Sequence, residues 1–214
     1  MELKNNNQTP HRGIVEAVNG PVIKARGMRE FGMREVVQVG PKHLMGEIIK
    51  MDGEGATIQV YEDTDGLRVN EEVTGTGEPL SIELGPGLIG SFFDGIGRPL
   101  DSLLETEGMY ISPGTTVNMI NRDKLWDVTP VVKPGDLVSG GMVLATIQET
   151  PLLVHKIMTP PNFEGEITWV LPAGKHHASS DVAKIKNALG REISIPMIQR
   201  WPVRTARPYR ERLL

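Results

Sequence analysis

The sequence predicts a mainly β protein, with a small six-stranded β-barrel at its N-terminal end and a second β unit after it. Three observations carry this expectation. Turn signals recur at short, even intervals over residues 13–80: Asn19-Gly20, Gly40-Pro41, Asp52-Gly53, Asp65-Gly66 and Thr76-Gly77. Between two of them Ala56, Ile58 and Val60 alternate with Thr57, Gln59 and Tyr61, the period of two expected of a half-buried strand. The 214 residues include 24 Gly and 16 Pro but only four Phe, three Tyr and three Trp, which suits turns and short strands.

The elements follow in order. Residues 1–11 form a polar, flexible start, and Met1 to Gln8 lacks the apolar core of a signal peptide. Strands are predicted over 14–18, 22–25, 36–39, 46–51, 56–61 and 72–74, within a domain spanning 12–80. Six short strands at this spacing favour a closed barrel, because closure removes edges that so small a domain cannot cover. Residues 81–110 break the rhythm. Their stretch "LGPGLIGSFFDGIGRPLDSL" places Gly85, Gly87 and Gly90 in G-x-G-x-x-G spacing, with Glu105 where a ribose hydroxyl would be held. That motif works only where a strand ends and a full helix begins. Here 81–84 is a short strand, and Asp94-Gly95 and Gly97-Arg98-Pro99 leave room after Gly90 for roughly two helical turns. No nucleotide is assigned to these glycines.

A second β pattern runs over 116–186, punctuated by Lys133-Pro134-Gly135-Asp136, Ser139-Gly140-Gly141, Thr159-Pro160-Pro161-Asn162 and Pro172-Ala173-Gly174-Lys175. Residues 180–190 allow two readings. Ser180 as a cap with Val182, Ile185 and Leu189 at helical spacing gives a short helix. Ala183 and Ile185 alternating with Lys184 and Lys186, resumed by Ile193 and Ile195, gives a hairpin, which we take. The end, "WPVRTARPYRERLL", is basic, holds two prolines and stops without a turn or cap.

Composition narrows the function. A net charge of −4 argues against general affinity for nucleic acid. Without cysteine there is no disulfide framework, thiolate metal site or thiol nucleophile, and the cytoplasm is the simplest compartment. No apolar run nears the length needed to span a membrane.

Several candidate sites have plainer readings. "YEDTDGLRVNEE" sets Asp63, Asp65, Gly66 and Glu72 at the third, fifth, sixth and twelfth positions of a calcium loop, but Tyr61 stands first and no helix precedes it. An Asp-Gly turn accounts for it. His176 and His177 carry metal-binding imidazoles, yet neighbours on a strand face opposite ways, and a solvated loop is expected. His155 sits in an apolar run with no carboxylate or nucleophile beside it in sequence, which makes it a core or hairpin histidine. Arg200, Arg204, Arg207, Arg210 and Arg212 interleave with Trp201 and Tyr209, as in single-strand binders. Pro202 and Pro208 fix an extended path there, and a structural connector is expected. No G-x-x-x-x-G-K-[ST] phosphate loop occurs.

The run "KPGDLVSGGMVLATIQETPLLVHKIMTPPNFEGEI" resembles biotinyl and lipoyl carrier domains, and the resemblance implies a sandwich-like second unit. Carriers present a lysine at a hairpin tip. Here Leu152 and Leu153 stand at the tip and Lys156 lies deeper in the returning strand, so the fold transfers and the carrier chemistry does not.

"NGPVIKARGM", "GEIIKMDGEGATIQVYEDTDGL", "GEPLSIELGPGLIGSFFDGIGRPLD", "HKIMTPPNFEGEI" and "MIQRWPVRTARP" together resemble, in this order, the catalytic A subunit of V-type and A-type rotary ATPases. The resemblance runs from Arg12 onward. It implies an N-terminal barrel, a bulge insertion over 111–189 with a barrel-sandwich fold, and flanks at 81–110 and 190–214 that border a nucleotide-binding domain. The chain is expected to be an N-terminal fragment ending before the phosphate loop. On that expectation it carries no catalytic, cofactor-binding or metal residue, and Mg-ATP or ADP belongs to the parent protein, which couples ATP synthesis or hydrolysis to H⁺ or Na⁺ movement. The implied partners are B subunits through the barrel and a peripheral stalk through the bulge, with the membrane met only indirectly and no nucleic acid. The location is cytoplasmic, peripheral to the membrane. The orphaned apolar residues Leu88, Ile89, Phe92, Phe93 and Ile96 are expected to be covered by the arm from Trp201 to Tyr209 or by self-association. A stand-alone carrier or ligand-binding β module is the alternative.

Overall fold

Six strands close on themselves at the N-terminal end of the chain, of which the computed structural model describes residues 10–209. They are β1 (Arg12–Asn19), β2 (Val22–Arg26), β3 (Glu35–Val39), β4 (Leu44–Asp52), β5 (Gly55–Val60) and β6 (Glu72–Pro79). Their order round the barrel is β1-β2-β5-β4-β3-β6. Every strand predicted for this region is present, because the turns between them are local. Gly20 and Gly53 hold φ of +56° and +61°, which the Asn-Gly and Asp-Gly hairpin turns need. Alternate side chains then point inward. Val15, Ile23, Val37, Val39, Leu44, Ile48, Ile58 and Val73 fill the barrel, and Met28 and Phe31 pack against them. Each such side chain contributes about 1.5–3 kcal/mol by leaving water.

Two charged groups, Glu35 and Glu47, are buried in this wall, and the first serves the barrel itself. The Glu35 carboxylate is buried and accepts hydrogen bonds from the backbone N–H groups of Gly32 (2.7 Å) and Gly77 (2.8 Å). It thus ties the entry of β3 to β6, and nothing in the local sequence announces it.

After the barrel come β7 (Ser81–Leu84), α1 (Leu100–Glu107), β8 (Leu125–Pro130), β9 (Leu137–Val138), β10 (Val143–Thr150), β11 (Leu153–Met158), β12 (Gly165–Val170), β13 (Gly174–His177), β14 (Asp181–Lys186), β15 (Glu192–Pro196) and β16 (Gln199–Pro202). Two four-stranded sheets, β11-β10-β8-β13 and β15-β14-β12-β9, enclose a second core. Trp126, Val128, Leu144, Ile147, Ile157, Ile167, Val182 and Ile185 lie in it. This is the sandwich the sequence led us to expect.

Residues 180–190 take the hairpin reading: Ile185 pairs with Ile193 and Ala183 with Ile195. The Asn187 side chain closes the turn by accepting from the N–H groups of Leu189 and Arg191, both at 3.0 Å. Strand β15 thereby extends the second sheet beyond residue 189.

The helix is not where the glycines left room for it. Residues 91–98 are irregular, with a turn at 95–96 and a bridge from Phe93 to Pro99, and α1 begins after Pro99, whose φ of −65° and lack of an N–H suit a helix entrance. Strands β7 and β16 pair through Ile82 and Trp201, joining the two flanking segments. Among the described residues no helix is long and apolar enough to cross a membrane.

Candidate interaction site

Two of the three motif glycines, Gly85 and Gly87, are packed against protein, while Gly90 has open space around it. A methyl group on Gly85 would come within 2.8 Å of Ile120, and one on Gly87 within 3.1 Å of Trp126. The N–H of Gly87 donates to the Glu149 carboxylate of β10. A phosphate cradle needs free amides facing an open site. Here a carboxylate already occupies the donor and would repel a second anion. Glu105 lies exposed on α1. The residues present therefore do not fit a nucleotide, and the motif docks the flank onto the sandwich.

The strongest polar construction lies where the barrel meets the two flanks. Two carboxylates of the barrel each receive an arginine from outside it. Glu62, just after β5, takes Arg98 (Nη1 to Oε1, 3.1 Å), which also donates to Asp94 (2.7 Å) and to the Thr115 carbonyl (3.1 Å). The same Glu62 accepts from the backbone of Met45 (3.1 Å) and Gly114 (3.2 Å). Gly114 has to be glycine: its φ is +79°, and a methyl there would sit 1.8 Å from the Lys42 carbonyl oxygen. Burial pushes the Asp94 carboxyl up, but the backbone N–H groups of Arg98 and Ile96 and the Arg98 guanidinium outweigh it and hold the group below the usual carboxylate range.

The second carboxylate is Glu47 on β4. Arg204 meets it with two bonds, Nε to Oε1 at 3.0 Å and Nη2 to Oε2 at 2.7 Å, and the Tyr61 hydroxyl donates to the same group. Burial raises the acid, yet Arg204 and Tyr61 prevail and it stays below the ordinary range. Tyr61 is itself pushed up, by burial and by the adjoining carboxylate. None of these contacts was foreseen, and Glu47 and Arg204 stand 157 residues apart.

The remaining sequence candidates scatter. Asp63 accepts the N–H of Asp65 in the Asp-Gly turn, and Glu72 pairs with Arg12. His176 and His177 lie on strand β13, not in a loop: β13 pairs with β8, setting His176 opposite Trp126 and His177 opposite Leu125. The strand was missed because its polar residues carry no alternation, and its partner lies far off in sequence. His176 hydrogen-bonds the Pro172 carbonyl at 2.8 Å. Burial lowers His155, against an upward pull from Glu149. Lys156 faces solvent opposite Thr146, away from the tip at Leu152. Among the described residues no group of three or more His, Asp or Glu could hold a metal.

In the arm, Arg200 pairs with Glu78, and Arg207 lies over the Trp201 ring and donates to Gln199. These arginines bind their own protein, as a connector would. Arg210 and Arg212 lie outside the described residues. The arm does not cover the apolar run as expected: Val203 shares a groove with Phe93, but Phe92 remains 73% exposed and Ile89 71%. Pairing of β16 with β7 draws the arm to Ile82 instead.

Both units have counterparts among known proteins. Residues 15–77 match the ATP synthase alpha/beta family beta-barrel domain, and residues 117–204 the ATP synthase alpha/beta subunit barrel-sandwich domain. The chain is 47% identical over 202 residues to the V-type ATP synthase alpha chain of Thermoanaerobacter sp. (strain X514), covering 94% of this chain and 34% of that one. It is 46% identical to the corresponding chain of Halothermothrix orenii, with the same coverage. Against the A subunit of the A-type ATP synthase of Pyrococcus abyssi it is 46% identical, over 94% of this chain and 20% of that one. The chain thus spans about a third or less of the length of these relatives.

Proposed function

We propose, for a chain that belongs to the ATP synthase alpha/beta family, the role of N-terminal assembly portion of the catalytic A subunit in a V-type or A-type ATP synthase. The observation that carries the reading is the pairing of a closed six-stranded barrel with a barrel-sandwich unit, at 47% identity across 94% of the chain. The parent protein, in this reading, couples ATP synthesis or hydrolysis to H⁺ or Na⁺ transport and binds Mg-ATP or ADP outside these residues. The barrel joins neighbouring B subunits, and the bulge faces a peripheral stalk. The complex holds the chain at the membrane from the cytoplasmic side. No residue here is assigned to catalysis, cofactor or metal.

The test of assembly is to mix the chain with the B subunit of the same complex and weigh the products by native mass spectrometry. A hetero-complex is expected, and its absence at tens of micromolar protein, a concentration suited to a weak interface, would overturn the role. Calorimetry with Mg-ATP checks the division of labour. Lacking a phosphate loop, and with the Gly87 amide already held by Glu149, the chain should give no saturable heat. The carrier alternative has no support from the position of Lys156, which is paired within β11 rather than presented at the tip.

A further inference from the structure

The two arginine clasps differ in kind. Arg98 and Glu62 are both enclosed, at 12% and 10% exposed, and the pair is stitched to Asp94, Thr115, Gly114 and Met45. Arg204 and Glu47 are one-sided: the carboxylate is 3% exposed and the guanidinium side chain 54%. Arg204 also stands on a turn that is closed without help from the barrel. The Trp201 indole N–H donates to the Thr205 carbonyl (2.7 Å), the Thr205 N–H donates to the Pro202 carbonyl (3.1 Å), and Arg207 lies 5.2 Å over the Trp201 ring. The Val203 N–H on the Leu80 carbonyl (3.0 Å) anchors the base of this turn to the entry of β7.

We propose that Arg204 and Glu47 form a releasable latch between the arm and the barrel, with Arg204 and the arm beyond it swinging off while Trp201 and Pro202 stay paired on β7 and the Arg98–Glu62 clasp keeps the barrel in place. Release ordinarily strands a buried charge at a high cost. Here the Tyr61 hydroxyl stays on the Glu47 carboxylate when the guanidinium leaves, so the open state keeps a hydrogen-bonded acid. The departing Arg204 is already half in water. The pivot is set by Leu80 and by the pairing of β16 on β7, neither of which involves the latch. Arg200, which pairs with Glu78 of β6 at 2.8 Å, stays with this pivot, so the arm beyond Val203 is a lever that meets the barrel through the bidentate Arg204–Glu47 contact.

The chain has no cysteine, so labels can be placed at will. One nitroxide pair, at Lys24→Cys and Thr205→Cys, reports the distance from barrel to arm by electron paramagnetic resonance. A second, at Lys24→Cys and Lys186→Cys, reports barrel to sandwich. In the wild-type background both distributions should be narrow. Glu47→Gln and Arg204→Ala should each raise the displaced population of the first pair at least roughly tenfold, the factor that one of the two charge-assisted hydrogen bonds supplies. The second pair should not change. If Glu47→Gln fails to fold, Arg204→Ala decides, since it alters a half-exposed residue and leaves the Tyr61–Glu47 bond intact. An unchanged first pair in Arg204→Ala overturns the latch. Equal broadening of both pairs overturns it too, since Arg204 would then be a staple of the whole junction.

Discussion

Glu47 and Asp94 carry the junction's dependence on pH. Both carboxyls sit below their ordinary values of 4.5 and 3.8 in the folded chain, held by Arg204 and Tyr61 in one case and by Arg98 in the other. A lowered folded value means that the unfolded chain binds more protons as pH drops through the window below those figures. Their contribution is therefore complete above about pH 4.5 and is lost as pH falls through the folded values. Urea unfolding at stepped pH should show stability falling across that window, with a shallower fall in Glu47→Gln. A parallel fall in the two proteins would remove Glu47 from the account. Gly114 gives a second measurement on a single residue. Its φ of +79° and the Lys42 carbonyl at 1.8 Å leave no space for a side chain. Gly114→Ala should lose about 2–4 kcal/mol, because the backbone at Gly114 must lift off Lys42 and Glu62 forfeits a donor. Gly20 shares the positive φ but has open space around it, so Gly20→Ala should lose only about 1–2 kcal/mol of backbone strain.

Among the elements, the hairpin β10–β11 decides between two chemistries. Its tip is Pro151-Leu152, with Leu152 98% exposed, while Lys156 is paired opposite Thr146 well inside the strand. A ligase that modifies carriers needs its lysine at the turn. The intact mass of protein made in a host with active biotin and lipoate ligases should therefore equal that of the bare sequence, and an added cofactor on Lys156 would contradict this. The elements also show what a sequence displays and what it hides. The barrel strands are legible because Asn-Gly and Asp-Gly turns and alternation are both local signals. The helix is harder to place, because Pro99 reads as a stop, whereas a proline that lacks its N–H also fits a helix start. Strand β13 escapes a reading of the sequence because Lys175, His176 and His177 gain strand form only by pairing with β8. The clasps are out of reach altogether, since Arg98–Glu62 and Arg204–Glu47 join residues that only the docking of the flanks on the barrel brings together.

For the whole molecule the question is how much of the apolar run after the barrel this chain covers by itself. Phe93 lines a groove with Leu80, Ile82, Leu88, Met119 and Val203, and bridges to Pro99. Phe92, its neighbour, points the other way and stays 73% exposed, beside Leu100, whose N–H bonds the Phe92 carbonyl, and one helical turn from Leu104, 61% exposed. The two phenylalanines should thus respond oppositely. Phe93→Ser removes a side chain from a contact that joins both flanks, and should lower the melting temperature by an amount matching about 1–3 kcal/mol. Phe92→Ser takes away a ring that touches little, so the monomer should melt within about 0.5 kcal/mol of the wild type. If the chain associates through this face, Phe92→Ser instead weakens the association, which light scattering at several concentrations detects independently of melting. Equal losses in the two variants for a monomeric protein would mean that the arm does close over Phe92. The exposed face would then be part of this chain's own core, with no surface left there for another body to cover.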